Sequence, residues 1–356
     1  MKPRAKIDPA TLTDMAELQR LLEASSLGGK RKRIDRSQLV ESMKYRIKGQ
    51  DPAIEQIAQR VFTGYAKQER RQPVATFLLV GPPGTGKTET AKALSEHLFG
   101  SEKDLLTISC ADFKNAGEAI TKLIGSGAAY KGSEQGGALT RPMFGKAERV
   151  VLFDEIEKAN PEIYDVFLTM LQDGYVKEQG NGKAADFTRA VVVLTSNLDH
   201  EKCGEIAQSF EDPEARTRAY KEHFNARGFA RPEILDRIPD IVYFSPLPLD
   251  VMAKVAVQKI VKLIQDYHLV PNRIEPEAAF RLLEAIQGSG IRTLEHTTES
   301  RLGSDLAELA NQGVERVDVV HRDGRLRAIA ARSIGVVATM PAARRDEGAP
   351  AAEPLG

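Results

Sequence analysis

The sequence predicts an open α/β fold, in which helices cover both faces of a five-stranded parallel sheet and a small, mainly helical domain follows. Three observations carry this prediction. Short apolar runs alternate with helical patterns, as in a parallel sheet that is buried on both faces. A glycine-rich stretch joins one such run to a helix. Beyond the last run, a proline-rich break precedes a segment with mostly helical periodicity.

Composition narrows the class of protein. The 356 residues suffice for two domains with a sizeable core. Lys and Arg number 50, as do Asp and Glu, so the zero formal charge gives no general attraction to nucleic acid or to an anionic membrane. The only cysteines are Cys110 and Cys203, which favours a reduced, intracellular protein over a disulfide framework. No apolar run approaches the roughly 20 residues of a membrane span, and we expect a cytoplasmic location.

The N-terminal residues 1–45 are interpreted as a helical and linker extension. Helical spacing marks residues 11–22, and Lys30–Arg36 is rich in basic residues. A solvated charge run is the ordinary explanation of such a stretch, and contact with nucleic acid or an acidic partner stays an alternative. The next helix is predicted to begin at Asp51-Pro52, with Asp51 as its N-cap.

The large domain is predicted to span residues 46–245. Its strands are expected at residues 76–80, 105–109, 150–153, 190–195 and 241–244. After a Pro-Leu-Pro-Leu break, residues 246–334 are expected to form the small domain, with three helices and a terminal hairpin that turns at Asp323-Gly324. Residues 335–356 are rich in Ala, Pro, Arg and Glu, and we expect a disordered tail there.

The glycine-rich stretch has the form of a phosphate-binding loop. Its residues are Gly81, Pro82, Pro83, Gly84, Thr85, Gly86, Lys87 and Thr88, and Glu89 continues the helix that follows. Glycines allow backbone N–H groups to turn inward around a phosphate, and the helix N-terminus adds partial positive charge. In such a loop Lys87 reaches the β- and γ-phosphates and the Thr88 hydroxyl ligates Mg²⁺. The sequence therefore predicts ATP and Mg²⁺ as ligands, with Glu89 counted among the nucleotide-binding residues.

Two later strands end in polar side chains that suit phosphoryl transfer. Asp154 and Glu155 follow a buried run, so Asp154 is expected to complete the metal shell and Glu155 to orient and deprotonate the attacking water. The ordinary alternative is a pair of helix-capping acids, because Asn160 opens a helix shortly afterwards. Asn197, at the tip of the next strand, is expected to position the water, whereas an isolated turn asparagine is its ordinary alternative.

Together these motifs resemble an AAA+ module of the Clp-type unfoldase and disaggregase family, most of all the second ATPase module of its two-ring members. The matching stretches occur in the family's order at residues 49–51, 81–88, 154–161, 171–174, 195–198, 231–238 and 290–292. The resemblance implies an AAA+ P-loop NTPase fold with a small C-terminal lid domain.

The resemblance also implies roles for three further residues. Asn197 corresponds to the first sensor, and Arg292 to a second sensor that couples γ-phosphate loss to domain rotation. Arg237 corresponds to an arginine finger, which acts in the ATP site of a neighbouring subunit and therefore implies a ring, expected to be a homo-hexamer. A surface ion pair is the ordinary alternative for Arg237.

Ligand contacts are implied elsewhere as well. Residues 45–50, among them Ile47 and Gly49, would line the adenine pocket. A first pore loop would include Tyr130 and Lys131, with the tyrosine gripping an extended polypeptide by stacking and steric contact. The alternative is that Tyr130 packs within its own subunit. A second pore loop would lie within residues 175–187.

The sequence thus favours an Mg²⁺-dependent ATPase that assembles as a ring and remodels, unfolds or threads a polypeptide. No Ile/Leu-Gly-Phe/Leu tripeptide lies between Asn197 and Arg231, so a peptidase partner is not expected. The alternative function is that of an AAA+ clamp, loader or nucleotide switch that acts on nucleic acid or on a partner complex.

Overall fold

A computed structural model describes residues 33–67, 69–127, 136–229, 231–286 and 291–331. The helix predicted within residues 11–22, the proposed contacts Tyr130 and Lys131, residues 30–32 of the basic run and the predicted tail lie outside these ranges. The chain divides into two compact units. The first ends at Val255 and also includes Ile291 and Arg292, and the second begins at Ala256.

The first unit alternates strands and helices along the chain. Its helices are α1 (Arg36–Arg46), α2 (Asp51–Ala66), α3 (Lys87–Phe99), α4 (Ala119–Ile124), α5 (Thr140–Gly145), α6 (Tyr164–Asp173), α7 (His200–Ser209), α8 (Pro213–Ala226) and α9 (Pro232–Arg237). Its strands are β1 (Ala75–Val80), β2 (Leu105–Ser109), β3 (Val150–Asp154), β4 (Tyr175–Lys177), β5 (Ala184–Asp186), β6 (Val191–Ser196) and β7 (Asp240–Tyr243). Helix α10 (Leu249–Asp266) begins in this unit and continues into the second.

The predicted parallel sheet is confirmed, and it has the order β2-β3-β6-β1-β7. All of its strand pairs are parallel, and each strand begins and ends within one residue of the predicted bounds. Because the strands are parallel, all five carboxyl ends lie along one edge, which is where open α/β sheets bind ligands. The loops after β1, β3 and β6 therefore meet at this edge.

The inner strands of the sheet, β3, β6 and β1, are buried on both faces. Along β1, Leu78 and Val80 face one apolar cluster, whereas Phe77 and Leu79 face another, and all four are fully buried. This alternation explains why the strands are apolar at consecutive positions. Full burial of each such side chain stabilises the fold by roughly 1.5–3 kcal/mol. The sheet is thus a rigid platform for the loops at its edge.

A small antiparallel hairpin was not predicted. Strands β4 and β5 pair from Tyr175 with Asp186 to Lys177 with Ala184, inside the segment proposed as a second pore loop. At the base of its turn the buried Glu178 carboxylate accepts a hydrogen bond from the Thr140 hydroxyl at 2.6 Å. Three-residue strands with alternating exposure carry too weak an apolar pattern for recognition.

The second unit contains helices and a three-stranded sheet. Its remaining elements are α11 (Pro276–Ala285), α12 (Leu294–Asn311), β8 (Val270–Ile274), β9 (Arg316–Arg322) and β10 (Arg325–Ala330). The predicted hairpin is confirmed, and Asp323 and Gly324 at its turn both have positive φ. Strand β8, which pairs parallel with β9, was not predicted, because a proline and a register shift interrupt it at Pro271.

Both cysteines are buried and unpaired. Burial raises the pKa of the Cys203 thiol to about 12 and holds the pKa of Cys110 well above its usual range. Both side chains are therefore neutral thiols at physiological pH and act as small apolar groups in the core.

The helices within the described residues do not include one that is both long and apolar enough to cross a bilayer.

Candidate nucleotide site

The loop between β1 and α3 has the backbone of a phosphate cradle. Gly81, Gly84 and Gly86 have φ values of 140°, 79° and 103°, which side-chain-bearing residues rarely adopt. At Gly81 an added Cβ would also lie only 2.2 Å from the carbonyl oxygen of Phe244, at the end of the neighbouring strand β7. At Gly81, both the backbone conformation and the lack of space for a Cβ therefore require glycine.

Lys87 places a positive charge inside this loop. Its side chain is only 5% exposed, and Nζ donates hydrogen bonds to the carbonyl oxygens of Gly81 at 2.7 Å and Pro82 at 2.8 Å. The Thr85 hydroxyl also donates to Pro82, at 2.9 Å. A buried ammonium requires such partners, and the phosphates of a nucleotide would supply stronger ones.

Three oxygen-bearing side chains meet where the loop faces β3. The Thr88 hydroxyl donates to Asp154 Oδ1 at 3.3 Å, and the Thr195 hydroxyl donates to the same oxygen. Hydroxyl and carboxylate oxygens are the ligands that Mg²⁺ prefers, with waters and phosphate oxygens completing its shell. Thr88 and Asp154 therefore fit the predicted metal role.

Thr195 is a site residue that the sequence did not reveal. It lies near the end of β6, and its hydroxyl also accepts a hydrogen bond from the backbone N–H of Glu155 at 3.0 Å. This hydroxyl thereby joins the ends of β3 and β6. Its sequence signal is the position one residue before Ser196-Asn197, which gains meaning only when β3 and β6 are known to be neighbours.

Glu155 is held in an unusual conformation at the tip of β3. Its φ of 58° and ψ of 56° are left-handed, which costs a non-glycine residue on the order of 1–3 kcal/mol. Lys158 Nζ lies 2.5 Å from Glu155 Oε2, and Asn197 Nδ2 donates to Oε1 at 3.4 Å. The structure thus brings Glu155 and Asn197 together, and it adds Lys158 as a partner that the sequence did not indicate.

An open cavity of about 530 Å³ lies beside Asn197. It is lined by Glu157, Asn197, Leu198, Asp199, His200, Glu201 and Lys202. The backbone N–H of Asn197 donates to Glu157 Oε1 at 3.1 Å, which fixes the start of the loop after β6. The side chain of Asn197 therefore borders both the Glu155 carboxylate and open space.

The residues predicted to bind adenine, and Glu89, differ in their burial and in their contacts with the phosphate loop. Ile47 is buried, and its Cγ2 lies 3.4 Å from the Cβ position of Gly86, while Gly49 has a positive φ and packs closely on Val251. Tyr45, by contrast, is 77% exposed. Glu89, in the first turn of α3, accepts a hydrogen bond from Arg46 Nε at 2.6 Å.

Arg237 lies outside the cluster described above. Arg237 ends α9 and is exposed, and within the described parts of the chain no acidic residue forms an ion pair with it. The backbone of Arg292 lies in a 3₁₀ turn, Ile291–Thr293. An ion pair of Arg237, the ordinary alternative, is thus not seen in the described residues.

A family model described as AAA domain (Cdc48 subfamily) matches residues 72–241. The chaperone protein ClpB of Helicobacter hepaticus is 37% identical over 202 residues, which cover 56% of this chain and 23% of the relative. Heat shock protein 100 of Trypanosoma brucei brucei is 38% identical over 208 residues, covering 57% and 23%.

A longer match is to the chaperone protein ClpB3, chloroplastic, of Arabidopsis thaliana, which is 31% identical over 300 residues, or 81% of this chain and 30% of the relative. The chain thus spans about a quarter to a third of the length of these curated relatives.

Proposed function

Because the chain carries an AAA+ module similar to those of the ClpB chaperones, we propose that it is a ring-forming ATPase that remodels, unfolds or threads protein substrates. The observation that carries this proposal is the convergence of three strand ends on one site. The loop after β1 holds Lys87, the end of β3 holds Asp154 and Glu155, and Asn197 follows β6.

Each side chain has a distinct task in the proposed hydrolysis. Lys87 and the loop N–H groups bind the β- and γ-phosphates, and Thr88 and Asp154 would hold Mg²⁺, which neutralises phosphate charge when bound. Glu155 accepts the proton of the attacking water, which Asn197 helps to orient. These five side chains all come from the ends of three neighbouring strands of one sheet.

The exposure of Arg237 agrees with assembly of the subunits into a ring. A finger acting in trans must be exposed and uncommitted to its own subunit, as Arg237 is within the described residues. We therefore propose a homo-hexamer with Arg237 reaching the neighbouring ATP site, Arg292 as second sensor, and Tyr130 and Lys131 contacting an extended polypeptide. We expect this ring to work in the cytoplasm.

Stimulation of ATP turnover tests the substrate class. An unfolded model protein such as casein should raise the rate of phosphate release, because in a threading ATPase the proposed contact of Tyr130 with the polypeptide would be coupled to hydrolysis. Tyr130→Ala should keep the basal rate and lose the stimulation. If duplex or single-stranded DNA or RNA stimulates turnover and casein does not, the clamp or loader alternative is correct and protein remodelling is wrong.

Thr195→Val tests the link between β3 and β6. The change keeps the side-chain shape but removes the hydroxyl, leaving the Glu155 N–H without its acceptor and Asp154 with one donor fewer. We expect ATP turnover to fall by about 10–100-fold, corresponding to a loss on the order of 1–3 kcal/mol. Steady-state phosphate release checks this result.

Thr195→Ser is the matched control, because it retains the hydroxyl. Wild-type turnover in Thr195→Val would show that the hydroxyl does not position the Glu155 backbone for the reaction.

A further inference from the structure

Gln50 is a buried polar residue that contacts the phosphate loop from behind. It is 2% exposed and occupies the position before α2, where the sequence predicted Asp51 as the cap. Its side chain makes no capping hydrogen bond to the helix. Instead, Nε2 donates to the carbonyl oxygen of Thr85 at 3.2 Å and to that of Ser245 at 2.8 Å. Residues 45–50 were predicted to line an adenine pocket, and this geometry gives Gln50 a different task.

The orientation of the Gln50 amide is set by its partners. Ser245 presents its backbone N–H to Gln50 Oε1 at 3.1 Å and its carbonyl oxygen to Nε2. A backbone N–H only donates and a carbonyl only accepts, so the amide fits in one of its two orientations. In that orientation the NH₂ group also faces Thr85. A carboxylate at this position would have no hydrogen to donate to either carbonyl.

The hydrogen bond to Thr85 fixes a peptide plane of the phosphate loop. In a trans peptide the carbonyl oxygen and the following N–H point in opposite directions, and the described residues contain no cis peptide. Holding the Thr85 oxygen toward Gln50 therefore directs the Gly86 N–H away from Gln50. Gly86, with φ of 103°, is a glycine that tolerates other conformations, so its own backbone does not enforce this orientation.

The segment directly after β7, which contains Ser245, also supports the beginning of the phosphate loop. The carbonyl of Phe244, adjacent to Ser245, lies against Gly81 so closely that no Cβ fits between them. The segment Phe244–Ser245 thus backs Gly81 directly and Thr85 through the Gln50 amide. Both ends of the loop are fixed by one element.

We propose that Gln50 is a positioning residue that holds the Thr85–Gly86 peptide so that the Gly86 N–H faces the nucleotide phosphates. This inference rests on the proposed ATP-binding function. According to it, Gln50 affects the binding of the polyphosphate part of the ligand and not that of the base. Its effect is indirect, through the loop backbone, and it applies equally to every ligand that carries the same phosphates.

The test compares phosphate ligands with and without a base. Gln50→Glu keeps the shape but removes both donors, and Gln50→Ala removes the amide without adding charge. By isothermal titration calorimetry, each variant should bind ADP, GDP and inorganic tripolyphosphate about 10–100-fold more weakly than wild type. This is the range expected when the Gly86 N–H no longer donates a hydrogen bond to a charged phosphate. The factor should be similar for the three ligands.

Ser245→Ala is the matched control, because it removes only the hydroxyl contact at 3.3 Å and keeps both backbone partners of Gln50. Its affinities should equal those of wild type. Circular dichroism at the titration temperature shows whether each variant is folded.

The outcomes separate the inference from the function on which it rests. Failure of wild type to bind ADP would overturn the proposed function itself. If wild type binds and the folded variants bind equally well, or lose affinity for ADP while keeping that for tripolyphosphate, the positioning role is wrong. If neither variant folds, Gln50 is a core residue rather than a specific support of the loop, and the inference is likewise wrong.

Discussion

Replacing Glu155 with glutamine is expected to slow ATP turnover by about 10²–10⁴-fold, the range for losing a general base. The amide has nearly the same shape and can still accept the hydrogen bond from Asn197, but it cannot take a proton from water. ATP binding should persist, because the phosphate loop is untouched. Phosphate release measures turnover, and titration with a fluorescent ATP analogue measures binding.

Glu118→Gln is the matched control for this change. Glu118 also forms an ion pair with a nearby lysine, Lys122 at 2.8 Å, but it lies at the exposed N-cap of α4. Its replacement should leave turnover near the wild-type rate. Equal turnover in wild type and Glu155→Gln would show that Glu155 is not the general base.

The Glu155→Gln variant can also be used to identify the substrate. A ring that binds ATP but cannot hydrolyse it should retain its polypeptide, which a pull-down in the presence of ATP would recover.

Arg237→Ala is expected to reduce turnover by about 10³–10⁵-fold, as for loss of an arginine finger. The large effect follows from the developing charge on the γ-phosphate, which a guanidinium from the neighbouring subunit would stabilise. Within one subunit Arg237 is exposed at the end of α9, so its removal should leave the fold and the thermal stability unchanged. Steady-state turnover and thermal denaturation check the two halves of this prediction.

Mixing two inactive variants tests whether the finger acts in trans. Subunits with Arg237→Ala keep the base, and subunits with Glu155→Gln keep the finger, so a mixed ring contains some complete sites. Turnover of the mixture should exceed that of either variant alone. No recovery in rings shown to be mixed would contradict a trans-acting finger.

Arg231, the N-cap residue of the same helix, provides the matched arginine. It pairs with Asp165 at 2.5 Å, and both side chains are substantially exposed. Such pairs contribute about 0–1 kcal/mol to stability. Arg231→Ala should therefore retain most of the wild-type turnover, and a loss as large as that of Arg237→Ala would point to a general disturbance of α9.

The strands of the main sheet could be predicted because buried strands appear in the sequence as short apolar runs. A strand covered on both faces is apolar at nearly every position, as in β1, where Thr76 is the one polar residue, and this pattern can be recognised without knowing the neighbouring strands. Strand β8 shows the opposite case, because its residues are half-buried or exposed, and Pro271 interrupts its apolar pattern. Its place in a sheet depends on pairing with β9, which no local pattern records.

Within the site, motif residues could be predicted but their supports could not. Lys87 and Asp154 belong to motifs that can be recognised in the sequence alone. Thr195 and Gln50 act through partners that lie far away in sequence, such as Asp154 and Ser245. Their roles depend on the register of the sheet, and an isolated threonine or glutamine gives no sign of it.

The position of β1 within the sheet has a consequence for how the chain is made. Its partners are β6, which pairs Ala75 with Val191, and β7, which pairs Phe77 with Asp240. Both are synthesised long after β1, so this strand cannot find its neighbours while the ribosome is still building the first half of the chain. The phosphate loop also lacks the backing of Phe244 and Ser245 until those residues have emerged. Nucleotide binding is therefore expected to begin only when the first unit is complete, so that ATP stabilises finished subunits and not nascent ones.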